Sequence, residues 1–178
     1  RSTLFPYTTL FRSPYRLCRA LLPHLQRQPV AHIVSIGSVF GAIGYAGHAA
    51  YSASKFALRG FSEALRRELS DTVVRVHYLA PRATRTRFNS AAVEELNARL
   101  AVATDSPERV ATAVRRMLES GQAEATIGWP EKLFVRINGI LPRLVDRSLA
   151  RQLPIIQERF TRPRAAPLSI QSVSRESP

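Results

Sequence analysis

Ser38, Tyr51 and Lys55 stand in the run SVFGAIGYAGHAAYSASK, thirteen residues from the first to the second and four from the second to the third. A four-residue step puts Tyr51 and Lys55 one turn apart on one helix face. A free phenol titrates near about 10 and is a poor proton carrier at neutral pH. An ammonium held beside it stabilises the phenolate and brings it toward the range useful for general acid–base work. Ser38 follows the apolar run IVSI, so its hydroxyl sits at a strand's carboxyl end, where open α/β sheets hold their ligands. The competing reading is a core helix with an incidental tyrosine and lysine.

Those three residues need a strand, a loop and a helix to bring them together. Residues 15–28 carry an apolar stripe at Leu17, Ala20, Leu21 and Leu25, a helical period. Pro23 bends that helix or marks its last turn, and Pro29 closes it. AHIVSI (31–36) reads as a strand, followed by the glycine-rich loop GSVFGAIGYAGHAA. A helix is expected over 51–69, packing through Phe56, Leu58, Phe61, Leu65 and Leu69, and a β-branched strand over 72–79. Such a strand–helix–strand unit implies parallel neighbours joined by a right-handed crossover. Helices follow at 91–103 and 107–119, the second with Pro107 in its first position behind Ser106 and Gly121 at its end. EATIGW (124–129) reads as a last strand.

A strand-end serine, the YSASK context and a following strand together resemble the short-chain dehydrogenase/reductase family. The resemblance implies an α/β, Rossmann-like, doubly wound parallel sheet and an NAD(P)-dependent oxidoreductase interconverting an alcohol and a ketone. Tyr51 would pass a proton to or from the substrate oxygen while hydride moves to or from a nicotinamide. Lys55 would lower the tyrosine pKa and bind the nicotinamide ribose, and Ser38 would orient the substrate oxygen. The family's Pro-Gly-x-x-x-Thr stretch falls on Pro81-Arg82-Ala83-Thr84-Arg85-Thr86. Pro81, Arg82, Thr84 and Thr86, with Tyr51 and Lys55, are therefore the expected cofactor contacts. Arg82 replaces the glycine; a phosphate contact and plain solvent exposure are both open for it. His48, three residues before Tyr51, either meets substrate or faces solvent. The histidines at 24, 32, 48 and 77 show no metal-ligand spacing, and no metal is expected.

The family's nucleotide-binding half opens on Thr-Gly-x-x-x-Gly-x-Gly, whose amides hold the pyrophosphate. Gly37, Gly41 and Gly44 imitate that pattern, but Ile43 occupies the last glycine's place and the segment follows the serine strand. The resemblance thus covers the C-terminal half of a catalytic domain, residues 14–130, with an N-terminally truncated sheet. NADP and NAD are not distinguished, because the residue that selects between them falls in the other half. TLFPYTTLFRS, residues 3–13, reads as the translation of a common short-read sequencing adapter, so 1–13 is expected to be a non-native leader.

Residues 131–160 are expected to form an amphipathic helical extension. Leu133, Phe134, Ile137, Ile140, Leu141, Leu144, Val145 and Leu149 make an apolar stripe broken at Pro142, with Arg136, Arg143, Arg147 and Arg151 between them. Three readings are open: packing on the domain or a second subunit, cover for an apolar substrate, or contact with a membrane surface through 131–153. Residues 161–178, rich in Pro, Ser and Arg, are expected to be a disordered tail.

The formal charge is +13, from 26 basic and 13 acidic residues. All the bases but Lys55 and Lys132 are arginine, and they are scattered, without a basic stripe interleaved with aromatics. That argues against nucleic acid. Cys18 is the only cysteine, which leaves no disulfide framework and fits a cytoplasmic location. The expected partners are a hydrophobic small-molecule substrate and, by analogy with the family, further copies of the intact protein. A non-catalytic binding protein of the same fold, or a peripheral membrane protein, is the alternative.

Overall fold

The β-branched run 74–80 and the apolar run 31–36 pair side by side. In the computed structural model, which describes residues 5–86, 91–100 and 102–161 (5–8, 91–93, 96 and 159–161 by backbone only), they are β1 (Ala31–Ile36) and β2 (Val74–Ala80). They run parallel with Ala31 opposite Val74 and Ile36 opposite Leu79, and β3 (Glu124–Thr126) joins the far side of β2, also parallel. The order β1–β2–β3 leaves the other edge of β1 unpaired among the described residues, with Ile36 exposed beside it.

Two helical layers sandwich this sheet. On one face α1 (Phe5–Leu25) and α2 (Ala49–Glu68) cover Ala31, Val74 and Val76, with Leu65 and Leu69 completing the cluster. On the other, Met117 of α4 (Pro107–Ser120) meets Leu79 and Ile127. Chemistry at its ends sets the length of α4. The Ser106 hydroxyl accepts from Arg109 N at 3.3 Å, and Gly121 closes the helix in the left-handed region at φ 68°. The sheet with helices on both faces is the α/β architecture expected.

Several boundaries and faces differ from the sequence reading. α1 runs through residues 5–13, and Phe11 packs edge-on against Phe61 at 6.2 Å. Its core face is Cys18, Leu22 and Leu25, whereas Leu17, Ala20 and Leu21 are exposed. The helix carries two apolar stripes, and the sheet took the second. Phe56 likewise lies on the outer side of α2. β2 starts at Val74 because Thr72 is a turn residue: its hydroxyl donates to Leu69 O at 2.9 Å and accepts from Val74 N at 3.2 Å. β3 stops at Thr126, and Gly128 at φ 104° turns the chain away. α3 (Ala91–Arg99) is shorter than expected.

The C-terminal stretch forms three helices, α5 (Glu131–Ile140), α6 (Pro142–Ala150) and α7 (Leu153–Thr161). Only part of the expected stripe turns inward. Val145 is buried on Val39 and Ile43 with Val135, Ile137 and Leu149 around it, while Leu133, Phe134, Ile140, Leu141 and Leu144 face out. The tail residues 162–178 lie outside the described residues.

Candidate active site

β1 ends at Ile36, and the chain then passes through Gly37 and Ser38 into a single 3-10 turn, Val39–Gly41. Ser38 caps that turn: its hydroxyl accepts from Phe40 N at 3.2 Å. The turn leads into the 42–48 loop, and α2 starts at Ala49, so Tyr51 and Lys55 occupy its first two turns. Small residues let α2 approach the sheet closely. Ser62 is fully buried; its hydroxyl donates to Leu58 O and shares a hydrogen bond with Ser35 Oγ, each at 2.8 Å, fixing the helix on β1.

The three sequence-derived residues gather at the carboxyl end of β1. Lys55 Nζ donates to Ile36 O at 3.1 Å, two residues before Ser38. The same ammonium lies 5.7 Å from the centroid of the Tyr51 ring, close enough to act electrostatically on the phenol. Burial pushes the Lys55 pKa below its ordinary value. Phe40, whose amide holds Ser38 Oγ, presents its ring edge-on to Tyr51 at 6.3 Å. A second shell of rings continues outward, with Phe40 stacked on Tyr45 at 4.6 Å and 9° and His48 tilted against both. His48, half-buried, is therefore part of an aromatic wall.

Sequence reasoning missed the residue that holds this loop from below. Tyr78 of β2 is 1% exposed, and its hydroxyl accepts from Ser38 N at 3.4 Å and donates to Ser38 O at 3.3 Å. The ring lies where a Cβ on Gly37 would stand, and its hydroxyl where a Cβ on Gly41 would stand. Gly37 and Gly41 thus make room for Tyr78, whereas Gly44 has open space around it. Two glycines four residues apart after a strand, facing an aromatic on the next strand, were the available signal. Burial pushes the Tyr78 phenol above its ordinary pKa.

Arg82 is neither exposed nor free. Its guanidinium grips Asp105 with two bonds, Nε to Oδ2 at 3.0 Å and Nη2 to Oδ1 at 2.9 Å, and Nη1 lies 3.6 Å from Glu131. Asp105 is buried and also meets Arg109 at 3.1 Å. The hydrogen bond to Asp105 raises the Arg82 pKa above its ordinary value. Around it the 83–85 backbone pairs with Asp105: Asp105 N donates to Ala83 O at 2.8 Å and Arg85 N to Asp105 O at 3.0 Å. Thr84 Oγ1 donates to Arg82 O at 3.2 Å within the same turn. Pro81 O accepts from Val39 N at 3.1 Å, tying this segment to the Ser38 turn, while Thr86 sits exposed at its end.

Helix α5 and the turn after α6 are pinned to the same loop. Asn138 Nδ2 donates to Ala42 O at 2.9 Å, and the Tyr45 hydroxyl donates to Gln152 Oε1. The other histidines lie elsewhere. His32 Nδ1 and His77 Nε2 are 3.0 Å apart across β1 and β2. His77 Nδ1 donates to Gln122 O at 2.8 Å, which makes His32 the donor to His77 when both rings are neutral. Among the described residues no group of three or more His, Cys, Asp or Glu is arranged to hold a metal.

Comparison with known proteins places the chain and its fold among relatives. SadH of Mycobacterium tuberculosis, named as an oxidoreductase, is 35% identical over 153 residues, covering 76% of this chain and 55% of its own length. The 3-ketodihydrosphingosine reductase of Bacteroides thetaiotaomicron is 29% identical over 155 residues, covering 86% of this chain and 55% of that protein. The chain thus spans about half the length of these curated relatives. A short-chain dehydrogenase from Burkholderia cenocepacia, solved with NADP, superposes with a TM-score of 0.68 at 20% identity, over 80% of this chain and 56% of that one. The family model for short chain dehydrogenase matches residues 7–97, which include Ser38, Tyr51, Lys55 and the Pro81 segment, and the chain belongs to that family.

Proposed function

We propose that this chain is the substrate-side half of an NAD(P)-dependent oxidoreductase that interconverts an alcohol and a ketone. One observation carries the reading: Lys55 reaches both the Tyr51 ring and the backbone carbonyl two residues before Ser38, so a proton donor, its activator and an oxygen-orienting hydroxyl share one strand end. Tyr51 delivers a proton to the substrate oxygen in reduction and takes it back in oxidation. Lys55 favours the phenolate electrostatically, and Ser38, held by the Phe40 amide and Tyr78, orients the oxygen.

The bound nicotinamide supplies or accepts the hydride. The residues present fit its ribose end: an ammonium has three donors, and Lys55 directs one at Ile36 O, leaving donors for a ribose hydroxyl. Pro81, Thr84 and Thr86 line the next segment of the cofactor path. Arg82 serves there as a clasp on Asp105 rather than as a phosphate ligand. NADP and NAD are equally compatible with these residues.

The aromatic wall of Phe40, Tyr45 and His48 favours an apolar substrate, in keeping with the keto compound in the name of the Bacteroides relative. The extension 131–160 then acts as cover for that wall, through Asn138 and Gln152. α1 and α2 supply the surface for a homo-oligomer, on which exposed Leu17, Leu21 and Phe56 lie. Cys18 packs in the core, in keeping with a reducing cytoplasm.

The test uses a chain that also carries the nucleotide-binding half; the 178-residue chain by itself is expected to be inactive. Tyr51→Phe should lower NAD(P)H-dependent turnover by roughly 10²–10⁴-fold, the usual share of general acid–base catalysis. Absence of turnover in both proteins, with folding intact, favours a non-catalytic binding protein.

A further inference from the structure

We propose that the elbow between α5 and α6 docks on an anionic lipid surface. The elbow is apolar and exposed. Ile140 ends α5, Leu141 is the joint and Leu144 lies in the first turn of α6; they are 79%, 57% and 55% exposed. Behind them Val145 is seated on Val39 and Ile43, so the inner face of these helices is already occupied, while the outer one is left exposed among the described residues. No helix among the described residues is long and apolar enough to cross a membrane, so the contact is peripheral.

The charges around the elbow choose the occupant. Lys132, Arg136, Arg143, Arg147 and Arg151 are all exposed. Arg136 lies one turn before Ile140, and Arg147 three residues beyond Leu144, so both flank the apolar tip on its own side. Some arginines elsewhere pair with acids, among them Arg59 with Glu124, Arg67 with Glu63, Arg99 with Glu158 and Arg109 with Asp105. Among the described residues the five bases around the elbow make no such pair, and Asp146 is the one exposed acid within 131–153.

A second copy of the chain would bring the same five bases to the same face and repel it. A nucleic acid would neutralise the bases yet leave Ile140, Leu141 and Leu144 in water. A lipid interface satisfies both features, with arginines among anionic headgroups and the aliphatic tip at the acyl boundary. Resting on the function proposed above, the arrangement also sets the Tyr45 loop beside the bilayer, where an apolar substrate would partition. The lipid contact itself does not depend on that reading.

Flotation of the whole chain with phosphatidylcholine vesicles, with and without phosphatidylglycerol, tests the proposal without any activity measurement. Floating separates bound protein from aggregate, which sinks. Binding is expected only with phosphatidylglycerol at low salt, with release as salt rises past about 0.1 M, where the Debye length falls to about 10 Å. Ile140→Ser/Leu141→Ser/Leu144→Ser and, separately, Arg143→Ala/Arg147→Ala should each lower partitioning by on the order of tenfold or more. Leu17→Ser/Leu21→Ser, on α1, should leave it unchanged. Trp129, the only tryptophan and 72% exposed at the foot of α5, should shift its emission to the blue on binding. No flotation at low salt, equal flotation on pure phosphatidylcholine, or equal loss in the α1 variant overturns the proposal. So does a dimer in solution that the elbow variant dissolves, or binding to duplex DNA that the same variant does not weaken.

Discussion

The Tyr78 hydroxyl holds both backbone polar groups of Ser38, accepting from its N–H at 3.4 Å and donating to its carbonyl at 3.3 Å. A residue on the second strand thereby sets where the first strand's hydroxyl points. Both bonds are long, so their share of the folding energy is small and their share of the geometry is large. Tyr78→Phe keeps the ring and loses only the hydroxyl. It should cost about 1 kcal/mol of stability, measured by urea unfolding. On the function proposed above, in a chain with the nucleotide-binding half it should lower kcat more than it raises KM, since the Ser38 hydroxyl is loosened while the rings of Phe40, Tyr45 and His48 stay in place. A rise in KM as large as the fall in kcat would point to general damage instead.

The two glycines beneath that loop should be intolerant in a graded way. A Cβ on Gly37 meets the Tyr78 ring; one on Gly41 meets the Tyr78 hydroxyl and, at 2.8 Å, the Lys55 carbonyl oxygen. A ring can shift slightly, whereas a helix backbone carbonyl cannot. Gly37→Ala should cost roughly 1–3 kcal/mol, the range for overpacking, and Gly41→Ala more. Adding Tyr78→Ala should recover part of the Gly37→Ala deficit and less of the Gly41→Ala one. Unfolding midpoints of the four variants decide it.

Arg82 and Asp105 form a buried pair whose members depend on each other. Asp105→Ala leaves the Arg82 guanidinium with Glu131 as its remaining acid and should cost about 1–3 kcal/mol, the range for a hydrogen-bonded charge that loses its main partner. Arg82→Gly restores the family's residue, and Asp105 keeps Arg109. It should cost less, and the double variant should cost less than the two singles added. In a cofactor-binding chain Arg82→Gly should leave NADPH affinity unchanged; a marked loss would reinstate the phosphate contact.

How far the chain could be read from its residues depended on how many partners each feature had. The strand–helix–strand unit and the Ser38, Tyr51 and Lys55 set were legible because period and spacing act within one segment. The face a helix buries was not. α1 offers Leu17 and Leu21 on one side and Cys18 and Leu22 on the other, and only the sheet decides between them. Arg82 could not be placed for the same reason: its partners Asp105 and Glu131 lie 23 and 49 residues away in the sequence. Tyr78 read as one more strand residue, because its role exists only beneath two glycines of another element.

Lys55 carries a pH signature. Burial lowers its folded pKa below the unfolded value. The unfolded chain then holds the proton more tightly, so the burial penalty is present in full below the folded pKa. It is relieved as pH rises from that value to the unfolded one. Lys55→Met should therefore be more stable than the parent at neutral pH. The gap should narrow as pH approaches about 10, where an unfolded lysine loses its proton. Urea midpoints for both proteins over that range test it; a gap that stays constant with pH would count against burial as its cause.

The C-terminal helices offer a paired comparison, because Leu144 and Val145 are neighbours with opposite surroundings. Val145 is 2% exposed on Val39 and Ile43, while Leu144 is 55% exposed. Val145→Ala opens a gap beneath α6 and should cost roughly 1–3 kcal/mol by the usual scale of core truncation. Leu144→Ala should stay within about 0.5 kcal/mol. The two should also differ in reach. Val145 packs on the turn that follows Ser38, so its loss should speed amide hydrogen exchange at Val39–Gly41 and at Ile43, whose N–H donates to Val39 O at 3.1 Å. Leu144→Ala should leave those amides as protected as before. Equal exchange in the two variants would mean that α6 does not brace the loop after Ser38, and the cover proposed for residues 131–160 would fall with it.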